Sequence, residues 1–256
     1  MVKLSNINSH DKEGTGNTQS SILDHKKLVI FGSPRSGTKL LASILASFGY
    51  HAFGEFFDTR TSSLENGKIS RMLSSDILYY RNQARERPLL EDYKHTAKIL
   101  ERLRRWRQLS TIQPRWSVTV WPENIFQVPS IMIDLQGCKW LCVQRNAWDQ
   151  LVSYLVVRSN ANPDGQHDSQ PVVVDYNTMH MLYWRMQSTT MIQEDLISRG
   201  IGIRVPFDEL ISGIYPGFSK PYRVETVDQH DDPSLLIENL DEVKEWYHSA
   251  EHRRKT

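Results

Sequence analysis

Residues 27–50 read KLVIFGSPRSGTKLLASILASFGY and contain, in direct succession, the patterns of a strand, a turn and a helix. The run KLVIF (27–31) is short, apolar and rich in β-branched residues, which predicts a buried strand of a parallel sheet. After the turn GSPRSG, apolar side chains recur at helical spacing until Gly49. A strand, a glycine-bearing turn and an amphipathic helix in this order are typical of a phosphate-binding βα unit.

The rest of the chain continues the alternation of strands and helices. Strand patterns lie at 115–121, 137–145 and 201–207, helix patterns at 146–159, 176–198, 208–214 and 233–252, two helices broken near Pro88 within 64–109, and a loop at 162–171. This order predicts an α/β fold with a three-layer parallel sheet flanked by helices. Residues 1–26 are polar and aperiodic, so we expect a disordered N-terminal arm followed by a single domain at 27–256.

The composition excludes several classes of protein. The 256 residues carry 31 basic and 30 acidic side chains, a balance that disfavours a nucleic-acid partner. The sequence lacks both a membrane span and the apolar core of a signal peptide. Its two cysteines, Cys138 and Cys142, are too few to cross-link a secreted protein of this size through disulfides. They fit a reducing compartment, so we expect a cytoplasmic protein.

The turn GSPRSGTK (32–39) has the chemistry of an anion site. Gly32 and Gly37 permit a tight turn, and Arg35 supplies a cation. Ser36 and Thr38 add hydroxyl donors, and Thr38 is also placed to cap the helix. These groups could hold a phosphate at the start of the helix, although a glycine-rich turn without a ligand is the alternative.

The order of two residues separates this turn from the ATP-binding Walker A loop. In that loop a lysine follows the last glycine and a hydroxyl comes next, where it holds Mg²⁺. Here Thr38 precedes Lys39, which turns each side chain by about 100° around the helix. The geometry that holds the metal is therefore lost, and the sequence predicts a site without a metal.

The segment Pro34-Arg35-Ser36-Gly37-Thr38 resembles the 5′-phosphosulfate motif of sulfotransferases. The resemblance implies the P-loop NTPase-like fold of that family. It also implies 3′-phosphoadenosine 5′-phosphosulfate (PAPS) as donor, adenosine 3′,5′-bisphosphate (PAP) as product, and no metal. Residues 34–39 would then form the 5′ half of the donor site, with Lys39 assisting Arg35.

A second segment resembles the 3′-phosphate motif of the same family, in which an Arg ends a strand and a Ser follows on the next helix. Arg145 and Ser153 stand at that spacing, with Ala147 where the family has proline. A fork-shaped guanidinium at the carboxyl end of a strand suits a phosphate. Pairing of Arg145 with Asp149, one helical turn on, is the alternative. Phe207 stands where a later family segment has tyrosine.

The catalytic base distinguishes branches of the family. Cytosolic sulfotransferases use a histidine after a central strand, and residues 118–122 contain none. The bacterial trehalose sulfotransferase-like branch uses a glutamate, and Gly54-Glu55-Phe56-Phe57 resembles its motif. An apolar environment would make the Glu55 carboxylate a better proton acceptor. The alternative is that Glu55 faces solvent beside core aromatic residues. His51 is a weaker candidate for the base.

Together these resemblances imply a sulfotransferase in which Glu55 is the base, while Arg35 and Lys39 act on the transferring group. The acceptor would be a small molecule or a glycan with a hydroxyl group, and a homodimer stays open. A P-loop kinase that uses ATP and Mg²⁺ is the rival enzyme. A nucleotide-binding protein without catalytic activity is the non-enzymatic alternative.

Overall fold

The structure, a computed structural model, describes residues 21–57, 89–127, 130–159, 171–218, 221–224 and 232–255. Its strands are β1 (Lys27–Phe31), β2 (His51–Ala52), β3 (Trp116–Val120), β4 (Lys139–Gln144) and β5 (Gly202–Pro206). They form one sheet in the order β2-β3-β1-β4-β5, and every neighbouring pair is parallel. The predicted α/β fold with a parallel sheet is therefore confirmed.

The helices of the described ranges follow the strands in alternation. They are α1 (Thr38–Ser47), α2 (Leu89–Ile112), α3 (Pro122–Gln127), α4 (Ser130–Asp134), α5 (Ala147–Ser159), α6 (Tyr176–Ser198), α7 (Phe207–Ile211) and α8 (Leu240–Lys255). Short 3-10 turns lie at Ile22–Asp24 and Pro233–Leu236. Among these helices, none combines the length and apolar character that a bilayer crossing requires.

Helices cover both faces of the sheet because successive side chains of a strand point to opposite faces. Phe31 lies in a core cluster with Trp106 of α2. Its neighbour Ile30 lies in a second cluster with Leu41 of α1. Four successive residues of β1 are fully buried in these two layers, so the apolar run KLVIF marks the centre of a three-layer domain.

The strand order creates a cleft at the carboxyl ends of β1 and β4. These two strands are neighbours. The chain leaves β1 through α1 toward β2, whereas it leaves β4 through α5 and α6 toward β5. Neighbouring strands whose connections depart in opposite directions form the crevice in which open α/β sheets bind ligands. The turn at 32–37 and Arg145 both follow these strand ends directly.

The structure corrects the predicted arm at its end. Residues 21–26 are folded rather than disordered, because Ile22 is fully buried and its N–H donates to the Gly217 carbonyl at 2.9 Å. The remainder of the arm, the first of the two helices predicted within 64–109, and all but the last residue of the loop at 162–171 lie outside the described residues. The second of those helices is confirmed as α2.

The predicted helix at 233–252 is two elements. A 3-10 turn at Pro233–Leu236 precedes α8, which begins at Leu240. Asn239 separates them, because its side chain accepts a hydrogen bond from the Val174 N–H at 2.9 Å and donates to the Val174 carbonyl at 3.0 Å. An amide that satisfies another segment's backbone in this way favours a helix boundary over a helix interior.

Candidate functional site

The turn after β1 is a tight loop that requires glycine at two positions. A Cβ atom on Gly32 would lie 2.5 Å from Ser36 Oγ. A Cβ on Gly37 would lie 2.4 Å from a carbon of the Phe207 ring, and Gly37 has a φ of 101°. Arg35 also adopts a positive φ, 66°, which is uncommon for a residue with a side chain. Such backbone strain is typical of ligand sites.

The start of α1 carries donor groups suited to an anion. The residue that precedes the helix is Gly37, so the expectation that Thr38 caps the helix is wrong: Thr38 is the first helical residue. The first N–H groups of a helix have no partner within it and carry a partial positive charge. Ser36 is 2% exposed, and within the described residues its hydroxyl has no hydrogen-bond partner. An unpartnered buried hydroxyl fits a ligand oxygen.

The two anion motifs of the sequence lie against each other. The Arg35 Nε donates to Ser153 Oγ at 3.1 Å. The Arg145 Nη1 donates to the Arg35 carbonyl at 3.3 Å. Gln150 lies between Arg145 and Ser153 in the sequence, and its side chain donates to the Pro34 carbonyl at 2.8 Å. The structure thus joins the turn to the start of α5.

Two guanidinium groups and two carboxylates interact at this junction. Burial lowers the pKa of Arg35, and the charge of Arg145 lowers it further. Burial also lowers the pKa of Arg145, while Asp149 and Asp208 raise it. Guanidinium groups nevertheless stay protonated near neutral pH, so two partly buried positive charges lie close enough to repel each other. An anion between them would relieve both their repulsion and their loss of water.

The alternative pairing of Arg145 with Asp149 describes only part of the geometry. Asp149 is exposed and acts on Arg145 through its charge. The hydrogen bond of the guanidinium goes instead to the carbonyl of Arg35. Its flat face lies over the Phe207 ring, with 4.8 Å between the Cζ atom and the ring centroid. Arg145 is therefore oriented toward the turn by Phe207, which follows β5.

A cavity of about 280 Å³ adjoins Arg145. Its other lining residues come from α5 and from the 3-10 turn before α8: Trp148, Asp149, Val152, Asp232, Pro233 and Ser234. Ligand sites usually span roughly 300–1,000 Å³, so this cavity lies just below the size of a complete site. The cavity extends the junction beyond the turn and along α5.

Glu55 lies at the same edge of the sheet, two strands away. After β2 the chain continues along β3, where the Phe53 N–H donates to the Ser117 carbonyl and the Thr119 N–H to the Gly54 carbonyl, at 2.8 Å each. Glu55 follows directly and is half-buried. Since neighbouring strands are about 4.8 Å apart, β2 and β1 are separated by roughly 10 Å.

The segment that carries Glu55 is held in place. The aromatic residues around it are buried: Phe53, Phe56 and Phe57. Arg102 donates to the Phe56 carbonyl at 3.2 Å. The buried Asn124 donates to the Phe57 carbonyl at 3.4 Å and accepts the Trp121 N–H at 3.0 Å. These bonds connect the segment to α2 and to α3, which follows β3.

The structure places the other two candidates for catalysis differently. His51 pairs with Trp116 at the amino end of the sheet. A strand rises about 3.3 Å per residue, so the length of β1 separates this end from the turn by roughly 13 Å. His51 is thus a poor candidate for the base. Lys39 lies in the first turn of α1 with an exposed side chain.

Several residues of this site carry no motif in the sequence. Gln150 and Gln193 contact backbone carbonyls, and a glutamine within a helix pattern looks like any surface residue. Gln193 donates to carbonyls at the ends of both β1 and β4. In the sequence Phe207 is notable only as a substitute for tyrosine, and its contact with Gly37 depends on how β5 pairs with β4.

In the stretches that the structure describes, no three histidine, cysteine or acidic side chains converge as ligands for a metal ion. A comparison of the sequence with protein-family models and with curated proteins finds no match.

Proposed function

We propose that this chain is a sulfotransferase that moves a sulfuryl group from PAPS to an acceptor hydroxyl without a metal. The observation that carries the proposal is the junction of two cationic motifs. Arg145 lies 3.3 Å from the carbonyl of Arg35, and Arg35 lies 3.1 Å from the hydroxyl of Ser153. A donor with phosphates at both the 5′ and the 3′ position of one nucleoside needs two neighbouring anion sites of this kind.

Each half of the junction has the donor groups for one phosphate. The N–H groups at the start of α1, the unpartnered Ser36 hydroxyl and Arg35 would hold the 5′-phosphosulfate. Arg145 and Ser153 would hold the 3′-phosphate, and the cavity beside Arg145 would receive part of the nucleoside. The bond from the Arg35 Nε to Ser153 joins a residue of one half to a residue of the other, so the two halves are coupled.

The transfer itself requires one proton acceptor and positive charge at the reacting group. Glu55 would take the proton of the acceptor hydroxyl, whose oxygen then bonds to sulfur as the bond from sulfur to the 5′-phosphate oxygen breaks. Arg35 would stabilise charge on the sulfuryl oxygens and on the departing phosphate, with Lys39 assisting from the first turn of α1. Because β3 lies between β1 and β2, the acceptor in this proposal would bind at the carboxyl end of β3, where it could reach both Arg35 and Glu55.

The acceptor in this proposal is a small molecule or a glycan that presents a hydroxyl group. A cytoplasmic location accords with Cys138 and Cys142, which are free thiols buried in the core. The order Thr38-Lys39 supports a metal-free site over a kinase site, because the hydroxyl that would hold Mg²⁺ is displaced around the helix.

Calorimetry with PAP and with ATP tests the function. We expect the full chain to bind PAP with unchanged affinity in EDTA, and to bind ATP with Mg²⁺ much more weakly. Arg145→Ala should weaken PAP by about 10- to 100-fold, because it removes a charge-assisted contact, and should leave adenosine 5′-phosphate nearly unaffected. Arg199→Ala, which removes an exposed charge elsewhere, is the control. Preference for ATP with Mg²⁺ would contradict the proposal.

Glu55→Gln tests the proposed base. The amide keeps the shape of the side chain but accepts a proton poorly, so turnover with PAPS should fall by about 10²–10⁴-fold. The affinity for PAP should be unchanged, because Glu55 does not contact the donor in this proposal. Turnover is measured with radiolabelled PAPS on a panel of sugar and alcohol acceptors. Wild-type turnover in the variant would exclude Glu55 as the base.

A further inference from the structure

We propose that Gln193 is a positioning residue that fixes the distance between the two anion sites, an inference that rests on the proposed function. Gln193 lies in α6 and is 3% exposed. Its Nε2 donates to the Phe31 carbonyl at 3.1 Å and to the Val143 carbonyl at 2.9 Å. Phe31 ends β1 directly before the turn, and Val143 precedes Arg145 by two residues.

The two carbonyls belong to the strands at the point where the strands separate. The register between β1 and β4 runs to Phe31 opposite Cys142, after which one chain enters the turn and the other leads to Arg145. The end of β4 also borders the turn, because a Cβ on Gly32 would lie 3.2 Å from the Val143 carbonyl. The side chain of Gln193 therefore connects the strand ends that lead into the two anion sites, beyond the last pair of residues in the register of β1 and β4.

The chemistry of the amide fixes its orientation. Both partners are carbonyl oxygens, which only accept, so the NH₂ group must face them and both of its hydrogens are used. Around it lies the apolar layer that contains Cys142 and Leu196. A polar side chain in such a layer is unfavourable unless its hydrogen bonds are made. The two bonds thus hold α6, β1 and β4 in one arrangement.

The consequence for binding depends on the number of phosphates in the ligand. A ligand with phosphates at both ends requires the turn and Arg145 at one fixed distance, whereas a ligand with a 5′-phosphate alone engages only the turn. Loss of the two hydrogen bonds would let the strand ends shift relative to each other. It should therefore weaken PAP selectively and spare adenosine 5′-phosphate.

The test compares Gln193→Met with Gln187→Met. Methionine has a similar length to glutamine and lacks donors. Gln187 lies on the same helix at 7% exposure and also makes two side-chain hydrogen bonds, to Glu251 at 3.2 Å and from Arg254 at 3.1 Å, away from the strand ends. Calorimetry gives the ratio of the affinity for PAP to the affinity for adenosine 5′-phosphate, and thermal denaturation reports folding. We expect Gln193→Met to lower the ratio about tenfold or more, and Gln187→Met to leave it unchanged.

Gln193→Asn serves if the methionine variant does not fold. It retains the NH₂ group but withdraws it by one methylene, so the ratio should fall by less than in Gln193→Met. An equal loss for both ligands, or the same change in Gln187→Met, would show a purely structural role and overturn the inference. If the wild-type chain prefers PAP and the Gln193 variants show the same affinity ratio as the wild type, this inference alone is overturned. A wild-type chain that binds neither ligand would overturn the proposed function and this inference with it.

Discussion

The Phe207 ring contacts both halves of the candidate site. One edge of the ring lies only 2.4 Å from the position that a Cβ on Gly37 would take. The face of the ring lies under the guanidinium of Arg145. Phe207 follows β5, so a third strand end supports the junction between the turn and β4. A side chain at position 37 would displace this ring and, with it, the support of Arg145.

Gly37→Ala should therefore affect both stability and binding. The left-handed φ costs about 1–2 kcal/mol for a residue with a Cβ, and the shift of Phe207 adds about 1–3 kcal/mol. Gly49→Ala is the matched control, because Gly49 has a φ of 83° but nothing within 4 Å of its Cβ position. Denaturant unfolding should show a larger loss for Gly37→Ala, and calorimetry should show weaker PAP binding in that variant alone. Equal losses in the two variants would contradict the role of Phe207.

At the scale of elements, length decided which ones the sequence could predict. The buried strand β1 and the helix α6 have patterns of sufficient length, and their bounds are the predicted ones. The strand β2 has only two residues, and α4 has five, so neither displays a period. A pattern also cannot show that the amide of Asn239 satisfies Val174 and thereby divides a helix.

The candidate site was predictable to the extent that it is local in sequence. The turn and Arg145 each follow a strand, and parallel strands bring their carboxyl ends to one edge, so both could be placed there. Their mutual distance depends on the strand order, which puts β1 beside β4. Gln193 lies 162 residues from Phe31 along the chain, and a contact of that separation has no local signal.

The thiols of the β4 region should be unreactive in the native protein. Burial raises the pKa of Cys138 to about 11 and, with the help of Glu194, that of Cys142 to about 12. The thiolate is the nucleophile, so iodoacetamide at about pH 8 should label both residues only after denaturation, as mass spectrometry would show. Labelling of the native chain at the denatured rate would contradict this burial.

The same shifts predict a dependence of stability on pH. Both thiols have a folded-state pKa above the ordinary value of about 8.5, so their contribution is complete below that pH. It is lost as the pH rises toward the folded values, because the unfolded chain then releases protons that the folded chain retains.

At the scale of the whole molecule, the two edges of the sheet have different tasks. The carboxyl edge carries the turn, Arg145 and Glu55. At the amino edge Arg115 donates to the Leu23 carbonyl at 3.0 Å and to the Tyr50 hydroxyl at 2.9 Å. That hydroxyl donates in turn to the His25 carbonyl. The residues before β1, β2 and β3 are thus connected to one another.

Tyr50→Phe should lower stability and leave binding unchanged. The variant keeps the ring under the Arg115 guanidinium, whose Cζ atom lies 4.3 Å from the ring centroid, and removes only the hydroxyl. Loss of buried hydrogen bonds costs about 1–3 kcal/mol, which for a chain of this size lowers the melting temperature by several degrees, roughly 2–10 °C. Calorimetry should give the wild-type affinity for PAP. A weakened affinity would contradict the separation of the two edges.

This division has a consequence for how the protein can change over evolutionary time. Under the proposed function, a substitution near Tyr50 that raises stability would leave the opposite end of the sheet unchanged, so heat tolerance and choice of acceptor would be tuned by separate sets of mutations. Stability gained at the amino end would then offset the stability that a new acceptor specificity around Glu55 costs.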